Sequence, residues 1–435
     1  MCVHGGLRGL ALAGPGAAVL IRDVEIEGRG RVDVRVTGGR IAAVGPRLAG
    51  PADVDGRGGA LLPGLHDHHI HLAALAAEAS SVRVGPADVG GRDGMAAALR
   101  AGAPGEWVRA TGYHESVAGA LDRWALDAIV PDRPVRVQHR SGALWILNSA
   151  ALRAAGLDNG GGDGCLWRKD ERLRSFVPPV PLDLAGLGRR AARLGVTGFT
   201  NADPHPAAGL RQLLSVLPQR LVVMGVDAPV KLMLDDPVLP TPADLAATVA
   251  GLRPRPVAVH CVTRVQLIVT LLALQEAGPV EGDRIEHGSV IPAQTVPWLR
   301  RLGVTVVTQP HFPVERGDTY ATDVHADDRP HLYRCRSLAE AGVPVAAGTD
   351  APYGTHDPWA AMRAAVARHD GEGVTPRAAL RLFLGSPRRP GRVRKLTVGA
   401  QADLCLLHVP LHEALDALSA DVVRAAYVGG RPLLP

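Results

Sequence analysis

A (β/α)8 barrel of the TIM type, in the α/β class, with antiparallel β-structure at both chain ends, is predicted by three features of the 435-residue sequence. Short apolar runs alternate with Ala/Leu/Arg-rich helical stretches between residues 61 and 352, the signature of β/α units around a parallel sheet. Eight such runs fit into that span of about 290 residues, the number a closed barrel needs. The two terminal segments lack this alternation and instead show β-rich runs broken by Gly and charged turns.

The elements follow in chain order. Residues 17–45 read as antiparallel hairpins. The candidate barrel strands are 61–72, 135–140, 196–203, 229–234, 257–262, 284–290, 305–310 and 343–352, with VVMGV at 222–226 competing for the fourth place. Helical stretches such as LAGLGRRAARLG and QLIVTLLALQEAG lie among them. The connections after the first two strands are long, and the second contains the Gly-rich, then charged run 160–173. Such loops at the catalytic end of a barrel shape a pocket or form a mobile surface insertion. Segments 396–409 and 422–433 return to the β-rich character of the N-terminus.

Composition excludes several classes. The chain is 46% hydrophobic, which rules out a mostly disordered protein. Its net charge is +5, but only three of the 48 basic residues are lysine (Lys169, Lys231 and Lys395). That arginine excess, with abundant Ala, Gly and Pro, reads as coding bias rather than a nucleic-acid partner. The one basic cluster, residues 388–395, has no interleaved aromatics and reads as a solvated connection, with a phosphate-binding patch as its alternative. Five cysteines form no CxxC pair, which fits a reducing cytosol. Ala13-Gly14-Pro15-Gly16 interrupts the apolar stretch a signal peptide requires, and no run approaches the roughly 18 apolar residues of a membrane span. A cytoplasmic protein without membrane or nucleic-acid partners is expected, with homo-oligomerisation left open.

The chemistry-bearing signal is Pro63-Gly64-Leu65-His66-Asp67-His68-His69-Ile70-His71. Alternation puts Asp67, His69 and His71 on one face of a strand and His66 and His68 on the other. Two imidazoles two residues apart suit one metal ion, with the Asp available to orient a ligand. Lys231, His260, His287 and Asp350 follow or interrupt later apolar runs, which places them at a barrel mouth or interior. A lysine there carries a desolvation penalty unless paired or modified, and its amine can form a carbamate able to bridge two metals. Pairing with Asp235 or Asp236 is the structural alternative. His139, Tyr113-His114-Glu115, Gln309 and His311 are candidate substrate contacts. His205, His325, His331, His356 and His369 read as ordinary surface histidines.

Across PGLHDHHIHL, GYHES at 112–116, PVRVQHRSGALWILNSAALRAAGL at 134–157, VKLMLDD, RIEHGS, QPHF, AGVPVAAGTDAPYG and VGAQADLCLL, the chain resembles the amidohydrolase superfamily. The likeness is to the amidohydrolase 3 branch that includes N-substituted formamide deformylase. This resemblance implies a metal-binding barrel (63–392) and a small β-sandwich made from residues 1–62 and 393–435. It implies that His69, His71 and Asp350 hold one metal and His260 and His287 a second, with carboxylated Lys231 as bridge. The ions would be two Zn, with Fe or Mn as alternatives. A bridging water would attack, and Asp350 would carry its proton to the leaving amine. The expected activity is hydrolysis of a C–N bond in a small N-formyl or N-acyl amide. A deaminase or cyclic-amide hydrolase is the alternative, and a non-catalytic binding descendant a further one. His66, His68, Ala143, Cys261 and Asp236 depart from the branch's common pattern; they touch substrate identity more than the ligand set.

Overall fold

A computed structural model describes residues 18–102, 107–158, 160–168, 173, 175–177, 179, 181–227 and 229–434. The expectations about residues 1–17, and part of the 160–173 run, lie outside the described residues.

Strands β1 (Val19–Ile26), β2 (Gly30–Thr37) and β3 (Arg40–Gly45) form the expected antiparallel meander, and β4 (Val54–Asp55) joins β1 in parallel. Strand β5 (Leu61–Pro63) belongs to a different sheet, described below. Gly64 alone separates it from β6 (Leu65–Ile70). A Cβ at Gly64 would lie 2.2 Å from Thr197 Cγ2, so the close approach of the Thr197 side chain to this backbone calls for glycine.

Residues 72–184 form a compact unit of their own. Its sheet contains β7 (Val82–Arg83), β8 (Val108–Tyr113), β9 (Val135–His139), β10 (Leu144–Leu147) and β11 (Cys165–Trp167) in the order β11-β10-β9-β8-β7. Met95, Leu99, Tyr113, Leu126 and Val137 lie in its apolar core. This corrects the sequence reading of the second barrel strand. Residues 135–139 are a strand, but they pair with β8 and β10 inside this separate sheet.

The remainder of the chain, 1–71 and 185–435, forms the other unit. Here β12 (Val196–Asn201) runs parallel between β6 and β13 (Arg220–Val223). The VVMGV region, read as a competitor, thus supplies a parallel strand in place of 135–140. Strands β14 (Val230–Leu232), β15 (Val257–Cys261), β16 (Arg284–His287), β17 (Thr305–Thr308) and β18 (Val345–Ala347) make a five-stranded parallel sheet in sequence order. Backbone hydrogen bonds from Asp350 N to His69 O (2.7 Å) and from His71 N to Ala351 O (2.9 Å) tie the segment after β18 to β6.

Alternation decides what each strand presents. Val257, Val259 and Cys261 of β15 and Ile285 of β16 join an apolar cluster with Leu267, Leu271 and Leu274 of the helix Arg264–Ala277. Ala258, His260, Arg284 and Glu286 therefore occupy the opposite face. That helix begins where the Thr263 side chain accepts a hydrogen bond from Gln266 N and ends at Gly278, whose φ is 77°.

After β18 the chain forms a short hairpin of β19 (Gly385–Ser386) and β20 (Arg389–Val393). The basic cluster is thus partly a strand, not a simple connection. Strands β21 (Leu404–Leu407), β22 (Val423–Val428) and β23 (Arg431–Pro432) complete a second four-stranded sheet with β5, in the order β23-β22-β21-β5. One apolar cluster draws Ile21, Val24, Val34, Val36 and Ile41 from the first sheet and Leu61, Leu404, Leu406 and Tyr427 from the second. No described helix is long and apolar enough to cross a membrane.

Candidate metal centre

The ligand-type residues of β6 and the later strands meet at the C-terminal ends of the parallel strands. Nε2 of His69 and Nε2 of His71 lie 3.5 and 3.4 Å from the same oxygen, Asp350 Oδ1. Around a tetrahedral ion with bonds of about 2.0–2.2 Å, neighbouring ligand atoms stand roughly 3.3–3.6 Å apart. The two spacings match, and Asp350 Oδ1 is buried without a hydrogen bond. These three side chains fit a divalent metal ion.

Three further candidates border this group. Lys231 Nζ lies 3.3 Å from His69 Nε2 and donates to the Ala202 carbonyl at 2.7 Å. The His287 ring is 4.7 Å, centroid to centroid, from the rings of both His69 and His260. Strand alternation alone would turn His287 toward the helices with Ile285. Its backbone is left-handed (φ 65°), as is that of Asp350 (φ 53°). Each such conformation costs about 1–3 kcal/mol in a non-glycine residue, and at His287 it turns the ligand back to the polar face.

Acidic residues that the sequence reading overlooked hold the imidazoles in place. Glu286 pairs with His69 Nδ1 in a buried contact, and Arg284 braces that carboxylate. Asp203 accepts from His71 Nδ1 at 2.7 Å. With Nδ1 engaged, each ring directs Nε2 at Asp350, the arrangement in which carboxylates set ligand orientation and basicity. Two charged residues at alternate positions of a buried strand, Arg284 and Glu286, were the available signal.

Asp67, expected to orient a ligand imidazole, does something else. Its Oδ1 accepts from the backbone N–H groups of His69 (3.1 Å) and Thr349 (3.0 Å), and its Oδ2 from the Thr349 hydroxyl. It fastens the Asp350 segment to β6. Gln309, expected to contact substrate, places Oε1 2.9 Å from His287 Nδ1 and so orients that imidazole. His311 is buried with Nε2 3.1 Å from the Thr349 carbonyl.

The electrostatics separate the groups by role. Burial pushes the Asp350 carboxyl up, but the adjacent His71 imidazole and the charges of His287 and Lys231 outweigh it and leave it below its ordinary value. Burial also lowers the Lys231 ammonium, against the pull of Glu286, Asp350 and Asp203. His69 is driven well below its ordinary value, first by burial and then by Lys231 and its neighbouring imidazoles. A neutral imidazole is the form that ligates metal.

Tyr113, His114 and His139 belong to the 72–184 unit. The Tyr113 ring lies in that unit's core and its hydroxyl donates to the Gly119 carbonyl. His139 Nε2 lies 3.1 Å from Glu115 Oε2, and His114 Nε2 lies 3.8 Å from the same oxygen. Their spacing would admit an ion, but Nδ1 of each ring accepts a backbone N–H, from Ser116 (3.2 Å) and Ser141 (3.1 Å). An accepting Nδ1 puts the proton of a neutral ring on Nε2. These histidines therefore present N–H donors to Glu115 rather than lone pairs to a metal.

Residues 53–172 and 227–434 match the model of the amidohydrolase family. No curated protein matches the chain. Among solved structures, an uncharacterized metal-dependent hydrolase from Pyrococcus horikoshii OT3 superposes with a TM-score of 0.70 at 19% identity, covering 90% of this chain and 97% of that one. The corresponding Pyrococcus furiosus protein gives 0.69 at 20% identity, covering 89% and 98%. N-isopropylammelide isopropylaminohydrolase from Burkholderia multivorans gives 0.51 at 20% identity, covering 96% and 98%. At these identities the likeness is one of fold.

Proposed function

Because the chain belongs to the amidohydrolase family, enzymes that hydrolyse C–N bonds with the help of a metal, we propose that it cleaves the exocyclic C–N bond of a small N-formyl or N-acyl amine, as N-substituted formamide deformylases do. The observation that carries the reading is the convergence of His69 Nε2 and His71 Nε2 on Asp350 Oδ1. His69, His71 and Asp350 would hold one ion, and His260 and His287 a second, zinc in both positions. Bound there, divalent metal supplies Lewis-acid polarisation of the carbonyl and lowers the pKa of water.

The chain's own groups do the rest. Asp350, below its ordinary value, is ionised at neutral pH and takes a proton at its carboxylate, then returns it to the departing amine nitrogen. Asp203 and Glu286 keep the imidazoles aimed while this happens. Burial favours the neutral amine of Lys231, the form that adds carbon dioxide to give a carbamate and a released proton. That supports the anionic bridge between two ions. The free thiols of the described cysteines support a cytoplasmic setting.

We read the eight parallel strands β6 and β12–β18 as one closed barrel and the two four-stranded sheets as a β-sandwich. The bonds between the Asp350 segment and β6, and the apolar cluster shared by the two sheets, support this reading.

The test combines metal analysis with turnover. Plasma mass spectrometry should find two divalent ions per chain, N-formyl amines should be hydrolysed, and a chelator should abolish the reaction. Lys231→Arg should lose metal. One ion per chain, with ammonia released from aminated heterocycles, would replace this reading with a deaminase.

A further inference from the structure

The parallel sheet has a second polar end. The β19–β20 hairpin lies at the starts of the strands, away from the metal ligands. A Cβ on Gly391 would meet Pro344 Cβ at 2.4 Å and Thr305 Cγ2 at 3.5 Å, and one on Gly282 would lie 3.8 Å from the Arg388 carbonyl. Thr305 opens β17, Pro344 precedes β18 and Gly282 precedes β16, whereas His287 and Asp350 sit at the other ends of β16 and β18.

A cavity of about 710 Å³ opens at this hairpin, lined by Arg388, Arg389, Arg392, Arg394 and Lys395 together with Ser386, Val393 and Thr397. Its size falls within the range of small-molecule sites, about 300–1,000 Å³. No acidic residue lines it. Arg389 is paired with Glu281 at 2.8 Å. Among the described residues, no carboxylate pairs with Arg388, Arg392 or Lys395. Arg394 is mostly buried and, among the described residues, its side chain donates to backbone carbonyls, those of Gly385 (2.9 Å), Leu384 (3.3 Å) and Gly64. Burial pushes its guanidinium down to about 10, with Asp403 pulling the other way. Like charges gathered around a concave site, one of them half removed from water, repel one another until an anion is present.

We propose that this cavity binds a compact polyphosphate anion, at a site distinct from the metal centre. Arginine forks and a lysine point charge are the side chains that recognise phosphate oxygens, and their number exceeds what one phosphate can neutralise. The absence of aromatic side chains for stacking bases among the lining residues favours a small molecule over nucleic acid.

Isothermal titration of the full-length, metal-loaded protein with inorganic triphosphate tests the assignment. Binding should weaken with added salt, and inorganic phosphate should bind at least tenfold more weakly than triphosphate. The triple variant Arg388→Ser/Arg392→Ser/Lys395→Ser, at exposed positions, should lose at least tenfold in affinity. Arg388→Lys/Arg392→Lys, which preserves charge, should stay within a few-fold of the parent. Equal titration of the triple variant would overturn the proposal, since the heat would then come from chelation at the metal centre. A 20-nucleotide single strand that displaces triphosphate at lower concentration would overturn it in favour of nucleic acid. Binding of ATP comparable to triphosphate would support the shared phosphate chemistry and identify a nucleotide as a source.

Discussion

Asp350 combines two properties: its Oδ1 lies within 3.5 Å of Nε2 of both His69 and His71, and its carboxyl sits below its ordinary value although buried. Asp350→Asn should therefore lower kcat on a formylated amine by about 10²–10⁴-fold while the circular dichroism spectrum is preserved; parent-like turnover would remove Asp350 from the reaction. Glu286→Gln acts one contact further out, through His69, and should weaken metal binding by roughly 10–100-fold, read by competition with a chromophoric chelator. Asp67 gives a pH signature. Burial raises its carboxyl from 3.8 to about 7, against hydrogen bonds from Thr349 and His69 that pull it down. A raised carboxyl stabilises the fold fully below its unfolded value and loses that contribution as pH rises through its folded value. In metal-free protein, the urea midpoint should thus fall further between pH 4 and 7 than in Asp67→Asn; parallel curves would refute the shift. The histidines of the metal group were legible because a two-residue spacing on a strand is a local pattern. Glu286 and Asp203 were not, because what gives them a role is an imidazole on another strand, 217 and 132 positions away. The pairing of Gln309 with His287 was hidden for the same reason.

Each strand that carries a ligand is short, and its neighbours are held at backbone contact. A Cβ on Gly348 would stand 2.4 Å from His69 N and 2.5 Å from His69 Cβ. Gly348→Ala should therefore separate the Asp350 segment from β6, destabilise the protein by about 1–3 kcal/mol and reduce its metal content. Urea denaturation of metal-free protein and metal analysis check the two effects separately. Strand positions were largely readable from apolar runs, since those runs report burial. Sheet membership was not. The segments 135–140 and 222–226 show the same kind of β-pattern, yet β9 enters the sheet of the 72–184 unit and β13 lies beside β12. Only pairing between distant segments distinguishes them, and a local pattern carries no record of it. The basic cluster shows a related limit: charge alone suggested a solvated connection, while β20 pairs with β19 and bounds a cavity.

The two chain ends were readable as β-structure, and the apolar cluster that joins them makes a strong demand on the whole molecule. Truncation after Leu396 removes Ala402, Leu404, Leu406 and Tyr427 from that cluster. At about 1.5–3 kcal/mol for each large side chain, the loss is comparable to the 5–15 kcal/mol that stabilises a typical domain. The truncated chain should aggregate on size-exclusion chromatography; a soluble monomer with the parent melting temperature would show that the ends are independent. The ladder between β5 and β21 also has a consequence for synthesis. Leu61 pairs with Leu406 and Pro63 with Leu404, and a single glycine separates β5 from β6, the strand that bears His69 and leads into His71. At roughly 5–20 residues per second, a ribosome needs about 17–70 s to make the roughly 340 residues between the partners. The β5–β21 ladder therefore closes late in synthesis, after the segment that carries Asp350 has been made.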